Sequence, residues 1–378
     1  MSIQPVQKSL QQCDSPSTHR IVVIGAGGNI GSHLVPLLGQ MPGVERVILI
    51  DRDIYEDRNR VSQNITPSDV GKPKSMVQAR RLQIMSPDLQ VEWFVSSVEA
   101  LPLGHLNCDL IMTCLDSRES RRIVNQKAWR LGVPWIDAGV EGSGLLVRVA
   151  VVVPGPHSPC LECPWDNRDY GALEQTYSCQ GIRSTPTPTH APSSLGALAA
   201  SLQALECHKW LSGKRHQTAV GREIVIHAGW HKYFDTTLRK NPACQFNHEI
   251  WPINPLKINP GDLTPGKLFD IEIRRSGENS RLTLGVEGHY FTEKLTCNLC
   301  GKTRATQLHL VERIPSFRTT CCCGGKQVPT GFDLIEQLDS HHSSNQILNQ
   351  SLWRLGLRPG DVVSIESPLR QSHYMIGA

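Results

Sequence analysis

Residues 21–34 read IVVIGAGGNIGSHL: four apolar residues, Ile21 to Ile24, run into Gly25, Gly27, Gly28 and Gly31, and Ser32 to Leu38 then begins a helical pattern. Strand, tight glycine turn and helix make the phosphate-binding half of a βαβ unit. Glycine lets backbone N–H groups approach a phosphate, whose charge then lies at a helix N-terminus. The GxGxxxG spacing differs from the dinucleotide fingerprint GxGxxG, so the loop alone leaves open a nucleotide site and a purely structural turn.

Outward from this loop, strand and helix signals alternate. RVILID (46–51), VEWFV (91–95) and CDLIMTCLD (108–116) read as strands, as do VPWIDAGV and GLLVRVAVVVPG; KSMVQARRLQIM (74–85) and SRESRRIVNQKAWRLG (117–132) read as helices. Alternation of this kind predicts an α/β fold, a Rossmann-like, mostly parallel sheet with helices on both faces. Residues 166–192 are polar, rich in proline and without apolar periodicity, and read as a long loop. SSLGALAASLQALECHKWLSG (193–213) follows as a helix, with Leu195, Leu198, Leu202 and Leu205 on one face, Ser193 or Ser194 as its cap and Gly213 as its stop. Beyond residue 250, Pro252, Pro255, Pro260 and Pro265 mark a linker. FDIEIRRSGENSRLTLGV (269–286) is hairpin-like, residues 295–325 are rich in cysteine, and LGLRPGDVVSIES reads as a small β element.

The chain of 378 residues is 39% hydrophobic, with a formal net charge of +4, which provides a real core and gives no basic run suited to nucleic acid. No apolar run approaches the roughly 20 residues that span a bilayer, and residues 1–20 lack the apolar centre of a secretory signal. The expectation is a cytoplasmic protein with no membrane partner and a flexible arm at residues 1–20. Thirteen cysteines in such a chain point to metal or thiol chemistry before disulfides.

Asp51 ends the second strand, where a carboxylate can accept hydrogen bonds from ribose hydroxyls of either NAD or ATP. Asp53, Asn59, Arg60 and Lys74 are polar and cationic groups that a dehydrogenase does not need and a triphosphate does. Asp116 ends another strand, a position from which a carboxylate can hold Mg²⁺. In order along the chain, GAGGNIGS (25–32), DRDIYEDRNRVSQ (51–63), GKPK (71–74), CLDSRESRRIVN (114–125) and SLQALE (201–206) resemble the ThiF/MoeB/ubiquitin-activating (E1-like) adenylyltransferase family over residues 21–250.

The resemblance implies ATP-dependent adenylation of the C-terminal glycine of a ubiquitin-like β-grasp protein. Asp51 would bind ribose, Lys74 and Asn59 the phosphates and Asp116 the metal ion, with Arg121 and Asn125 supporting that junction. Ser62 stands where the family usually has a phosphate-binding arginine, and Arg58 or Arg60 are the candidates to replace it. The family also implies a homodimer, although its arginine-donating RYxRQ helix is not visible in the arm, where Arg20 is the remaining candidate.

CLECPW puts Cys160 and Cys163 at a knuckle spacing. NPACQFNHE supplies Cys244 and His248, where the family completes a structural zinc site. CNLC (Cys297, Cys300) and TTCCCGG (Cys321 to Cys323) have ribbon-like spacing and give a second Zn²⁺ candidate, with Cys321 and Cys323 favoured and Cys322 left open. Cys179, in TYSCQG, occupies the loop where the family carries a nucleophilic cysteine, and Arg168 and Arg183 could supply a positive field for its thiolate.

The expected organisation is therefore an arm (1–20), an adenylation domain (21–250) with a catalytic-cysteine loop (166–192), a linker and zinc-ribbon-like module (251–335) and a small C-terminal element (336–378). The favoured function is adenylation followed by thioester formation on Cys179 and transfer to a conjugating enzyme. The alternatives are ThiF/MoeB-type activation of a sulfur carrier and, more remotely, an NAD-dependent oxidoreductase or an inactive zinc scaffold.

Overall fold

Alternate side chains of the first apolar run feed two different cores, as expected of a strand covered on both faces. Ile21 and Val23 pack with Leu34, Leu49, Met112 and Ile136, while Val22 and Ile24 pack with Ile48, Ile111, Trp129 and Trp135. The structure is a computed structural model that describes residues 18–174, 191–277, 280–315 and 318–378.

The strand β1 (His19–Ile24) sits inside an eight-stranded sheet with β2 (Val44–Ile50), β3 (Gln90–Phe94), β4 (Leu110–Thr113), β5 (Trp135–Glu141), β6 (Leu146–Val152), β7 (Arg222–His227) and β8 (Lys232–Thr237). The order is β3-β2-β1-β4-β5-β6-β7-β8. Pairings from β3 to β5 are parallel and those from β5 to β8 antiparallel. Chain order reverses between β1 and β4, so a crevice opens at the carboxyl ends of those two strands. Helices α1 (Gly31–Leu38), α2 (Lys74–Met85), α3 (Arg118–Leu131), α4 (Asn167–Glu174) and α5 (Ser193–Leu211) belong to this part of the chain.

Several local expectations are corrected. His19 and Arg20 belong to β1 rather than to the flexible arm expected at residues 1–20, and residues 1–17 lie outside the described residues. Asn167–Glu174 is helix rather than loop, because Asp166 accepts N–H bonds from Arg168 (2.7 Å) and Asp169 (3.1 Å) at its start. In α5 the residue before the helix is Pro192, and Ser193 instead meets His33 (Oγ–Nε2 2.9 Å). Leu205 is 58% exposed; the buried face is made of Leu195, Gly196, Ala199, Ala200, Gln203, Ala204 and Cys207. Small residues are required there, since a Cβ on Gly196 would lie 2.6 Å from the Asn29 backbone oxygen.

A second sheet of five strands has the order β14-β10-β15-β16-β9: β9 (Ile253–Leu256), β10 (Thr283–Gly285), β14 (Gln337–Asp339), β15 (Val362–Glu366) and β16 (Gln371–Ile376). The segment expected as a proline linker thus supplies β9, and as an edge strand it tolerates Pro255. This sheet draws strands from both sides of the boundary expected at residue 335. The hairpin reading of 269–286 is also overturned: Pro265–Ser276 is helix α6, with Thr264 accepting from the Lys267 N–H (3.2 Å) and Gly277 closing the helix at φ +71°. A three-stranded sheet, β12-β11-β13, is built from β11 (Phe291–Cys297), β12 (Thr303–Leu310) and β13 (Gln327–Val328); Cys297 ends β11, Cys300 lies in the β11–β12 turn and Cys321 to Cys323 lie between β12 and β13. Among the described residues no helix is long and apolar enough to cross a membrane.

Candidate nucleotide and metal sites

The glycine turn is drawn tightly into the crevice. Gly25 has φ +81°, and a Cβ there would lie 2.5 Å from the Cys114 carbonyl oxygen at the end of β4. A Cβ on Gly27 would meet the Lys74 side chain at 2.4 Å and the Tyr55 hydroxyl at 2.8 Å. Absence of side chains therefore lets three segments close on one point. Gly31, at the start of α1, and Gly28 complete the turn, and the Ser32 hydroxyl accepts the Asn64 N–H (3.0 Å), tying α1 to the segment after β2.

Asp51 follows β2 and is 8% exposed. Its two oxygens accept the N–H groups of Gly27 (2.8 Å) and Asp53 (3.0 Å). Burial pushes its carboxyl above the usual carboxylate range, opposed by the Lys74 charge and these two bonds. Lys74, almost fully buried at the start of α2, has its Nζ 3.4 Å from the exposed Asp53 carboxylate. Gly27, Asp51, Asp53 and Lys74 therefore form one contiguous group at the switch point.

Asn59 and Arg60 stand on a 3-10 turn, Asp57–Val61, next to it. The Asn59 Oδ1 caps that turn by accepting the Glu56 N–H (2.8 Å), and Arg60 pairs with Asp57 (2.9 Å) at the surface. Asp116 is exposed in the turn between β4 and α3, whose cap is Ser117. Arg121 braces this turn by donating to the Leu115 carbonyl and to Asp137 (3.1 Å).

Asp137, whose side chain has no exposure, also takes the Thr113 hydroxyl (2.6 Å) and pairs with Arg148. Sequence reasoning missed this network, although one acid inside the apolar strand WIDAG was a visible signal. Asn125 does not support the Asp116 turn: it donates to Glu162 (3.1 Å) and accepts from the Leu161 N–H (3.2 Å), holding the first cysteine knuckle.

Cys160, Cys163, Cys244 and His248 bring their ligand atoms within 4.8 Å of one another. Sulfur separations of 3.7 Å (Cys160–Cys163) and 3.8 Å (Cys160–Cys244) match the edge of about 3.8 Å of a tetrahedron with Zn–S bonds of about 2.3 Å. His248 Nε2 lies 3.2 Å from the Cys163 sulfur. Cys297, Cys300, Cys321 and Cys323 form the second such group, with 3.4 Å between Cys297 and Cys323 and 3.8 Å between Cys300 and Cys321. Exposed Cys322 is not in it, although its sulfur is 4.0 Å from that of Cys321. The Cys321 thiol is pulled down to about 6, first by the Cys323 backbone N–H, which suits a thiolate ligand. Both donor sets fit Zn²⁺.

Cys179 and Arg183 lie outside the described residues. The helix before them, α4, is pinned beside the Asp116 turn by the Arg118–Asp169 ion pair and by Tyr170 donating to Glu162 (3.2 Å).

A model of the ThiF family matches residues 3–246. Ubiquitin-like modifier-activating enzyme 5 of Dictyostelium discoideum is 27% identical over 184 residues, 45% of this chain and 48% of that protein. The chain thus spans about half the length of that relative. The sulfur carrier protein adenylyltransferase of Thermus thermophilus is 31% identical over 239 residues, 59% of this chain and 80% of the relative. The crystal structure of E. coli MccB with ATP superposes with a TM-score of 0.50 at 23% identity, covering 60% of this chain and 65% of that one, a likeness of fold.

Proposed function

The chain belongs to the ThiF family, and we propose that it activates the C-terminal glycine carboxylate of a ubiquitin-like β-grasp protein by ATP-dependent adenylation. The observation that carries this reading is the convergence of Gly27, Asp51, Asp53 and Lys74 in the switch-point crevice that the Asp116 turn borders.

In this reading the glycine-turn amides and the N-terminus of α1 receive phosphate oxygens, and Asp51 accepts from the ribose. Lys74, with Asn59 and Arg60, meets the charge of the triphosphate. An oxygen of the glycine carboxylate attacks the α-phosphorus. The new P–O bond forms as the bond to the bridging oxygen breaks, and pyrophosphate leaves with the electron pair. Asp116, an exposed hard-oxygen donor, would hold Mg²⁺, which when bound neutralises charge on the departing phosphates.

The Cys179 thiolate would then attack the acyl carbon and expel AMP, leaving a thioester for a conjugating enzyme. The two cysteine-rich groups would hold structural Zn²⁺, and a homodimer in the cytoplasm, where thiols remain reduced, is the matching setting. Residues 21–250 would carry the adenylation chemistry and the remainder an appended module.

Sulfur-carrier activation is the second reading, favoured by the fuller coverage of the Thermus thermophilus relative. Both readings require partner-dependent exchange of labelled pyrophosphate into ATP. Asp116→Ala abolishes that exchange, whereas Cys179→Ala retains it and loses the thioester. Wild-type exchange in Asp116→Ala contradicts the assignment of the crevice.

A further inference from the structure

The ion pair that Lys74 makes with Asp53 is long, 3.4 Å, and the acid is 55% exposed, so water screens it. A lysine stem has four rotatable carbons, and this pair alone does not fix its course through the crevice. The Tyr55 side chain supplies a wall for it. Tyr55 is buried on the segment after β2, and that segment is bonded to the turn before α2. The Tyr55 N–H donates to the Lys72 carbonyl (3.0 Å), the Tyr55 carbonyl accepts the Gly71 N–H (2.8 Å), and the Lys74 N–H donates to the Asp53 carbonyl (2.9 Å).

A Cβ built on Gly27 would stand 2.4 Å from the Lys74 Cβ, 3.1 Å from its Cδ and 2.8 Å from the Tyr55 hydroxyl. The lysine stem and the phenol end therefore share the space over the glycine turn. The Lys74 ammonium lies 5.7 Å from the centre of the Tyr55 ring, within reach of its face. Gln78 is four residues further along α2, on the same side of the helix as Lys74, and is fully buried. Its Nε2 donates to the Tyr55 hydroxyl (2.7 Å), while its Oε1 is buried with no partner among the described residues. A half-satisfied buried amide costs stability, and two apolar side chains of the same shape would fill the core at no greater cost. Core packing alone therefore does not account for this polar pair, whereas a directed bond that holds the phenol in place does.

We propose that Tyr55 and Gln78 are positioning residues for Lys74: the Gln78 bond fixes the phenol, and the phenol fixes the lysine stem so that its ammonium is aimed at the triphosphate. The role rests on the reading of the crevice as an ATP site. Both residues act through Lys74 and neither touches the nucleotide.

The test is equilibrium binding of Mg²⁺–ATP to the full-length protein in a double-mutant cycle of Tyr55→Phe and Lys74→Met, with urea midpoints measured on every variant. Tyr55→Phe is expected to weaken ATP about tenfold in the wild-type background and to have no further effect once Lys74→Met is present. Tyr55→Phe with Gln78→Leu is expected to unfold at a midpoint no lower than Tyr55→Phe alone, yet to bind ATP as weakly as that variant does. A general distortion of the glycine turn would instead weaken ATP equally in both backgrounds, and that result overturns the proposal. Unchanged ATP affinity in Tyr55→Phe, or recovery of affinity together with stability in the pair with Gln78→Leu, overturns it as well. Absence of ATP binding by the wild-type protein contradicts the nucleotide reading of the crevice and this role with it, and is distinguished by appearing before any substitution is made.

Discussion

Gly27 shows how strictly single positions are set in the crevice. A methyl group there collides with Lys74 and with the Tyr55 hydroxyl, which itself accepts a bond from Gln78 (2.7 Å). Both neighbours are buried and cannot swing into solvent. Gly27→Ala is expected to cost about 1–3 kcal/mol of stability through overpacking, read from the urea midpoint, and to weaken ATP binding by displacing Lys74. Asp116, by contrast, is exposed, so Asp116→Ala changes stability by no more than about 0.5 kcal/mol while removing exchange.

The glycine turn, Asp51 and Lys74 were legible because strand-end acids and glycine spacing are local signals. The Asp137 network was not read, since its partners Thr113, Arg121 and Arg148 come from three other elements and meet only when the sheet is assembled.

Among the elements, the three-stranded sheet is the one built around the second four-ligand group. Cys297 ends β11, and Gly325 approaches it so closely that a Cβ would lie 2.6 Å from its sulfur. Elemental analysis is expected to find two zinc ions per chain, one for each four-ligand group. Cys300→Ser removes one and disorders β11–β13, whereas Cys322→Ser retains both; equal metal content in the two variants contradicts the assignment.

The same scale shows why α6 was misread. FDIEIRR alternates as a strand does, but Thr264-Pro265 and Gly277 are helix boundary signals, and Leu268, Phe269 and Glu272 fall on one buried helical face. Short alternation is ambiguous by itself, and boundary residues resolved it in favour of the helix. In α5 the leucines suggested one face, but close approach to α1 and the sheet selected small side chains instead.

The five-stranded sheet contains a buried acid-sensitive group. His373 is stacked on Trp251 with ring centres 3.9 Å apart and shares a bond with Ser364 (2.9 Å). Burial, then the charge of Arg130, pushes its pKa from 6.5 down to about 4. The unfolded chain therefore binds a proton that the folded chain excludes. Stability is full above pH 6.5 and falls as pH drops toward 4, and His373→Gln flattens this slope in urea midpoints measured across that window.

At the scale of the whole molecule, Arg130 of α3 joins the parallel-sheet region to Glu287, which follows β10 of the five-stranded sheet. Its guanidinium is bonded to Glu287 (2.6 Å), Asn247 (2.6 Å) and the Glu249 carbonyl (3.1 Å), and lies over the rings of Phe246 and Trp251. His248 of the first cysteine-rich group is next to this cluster in the chain. Arg130→Ala is expected to cost about 2–3 kcal/mol, near the lower end for a broken buried pair because Glu287 is 37% exposed. It should also loosen the first metal group, seen as faster zinc loss to a chelator. The modules' interleaved topology was illegible in the sequence, because β9 and β16 pair across more than a hundred residues with no local signal for that partner.

The most direct measurement of the central claim is intact mass after incubating the protein with Mg²⁺, ATP and a panel of β-grasp proteins that end in glycine, with labelled pyrophosphate exchange followed in parallel. The account predicts that one panel member supports exchange and adds its mass to the wild-type chain through a bond that thiols cleave, and that Cys179→Ala keeps the exchange without the adduct. Exchange without any adduct on the wild-type chain would contradict the thioester step and favour the sulfur-carrier reading. No exchange with any glycine-ended partner would contradict adenylation itself.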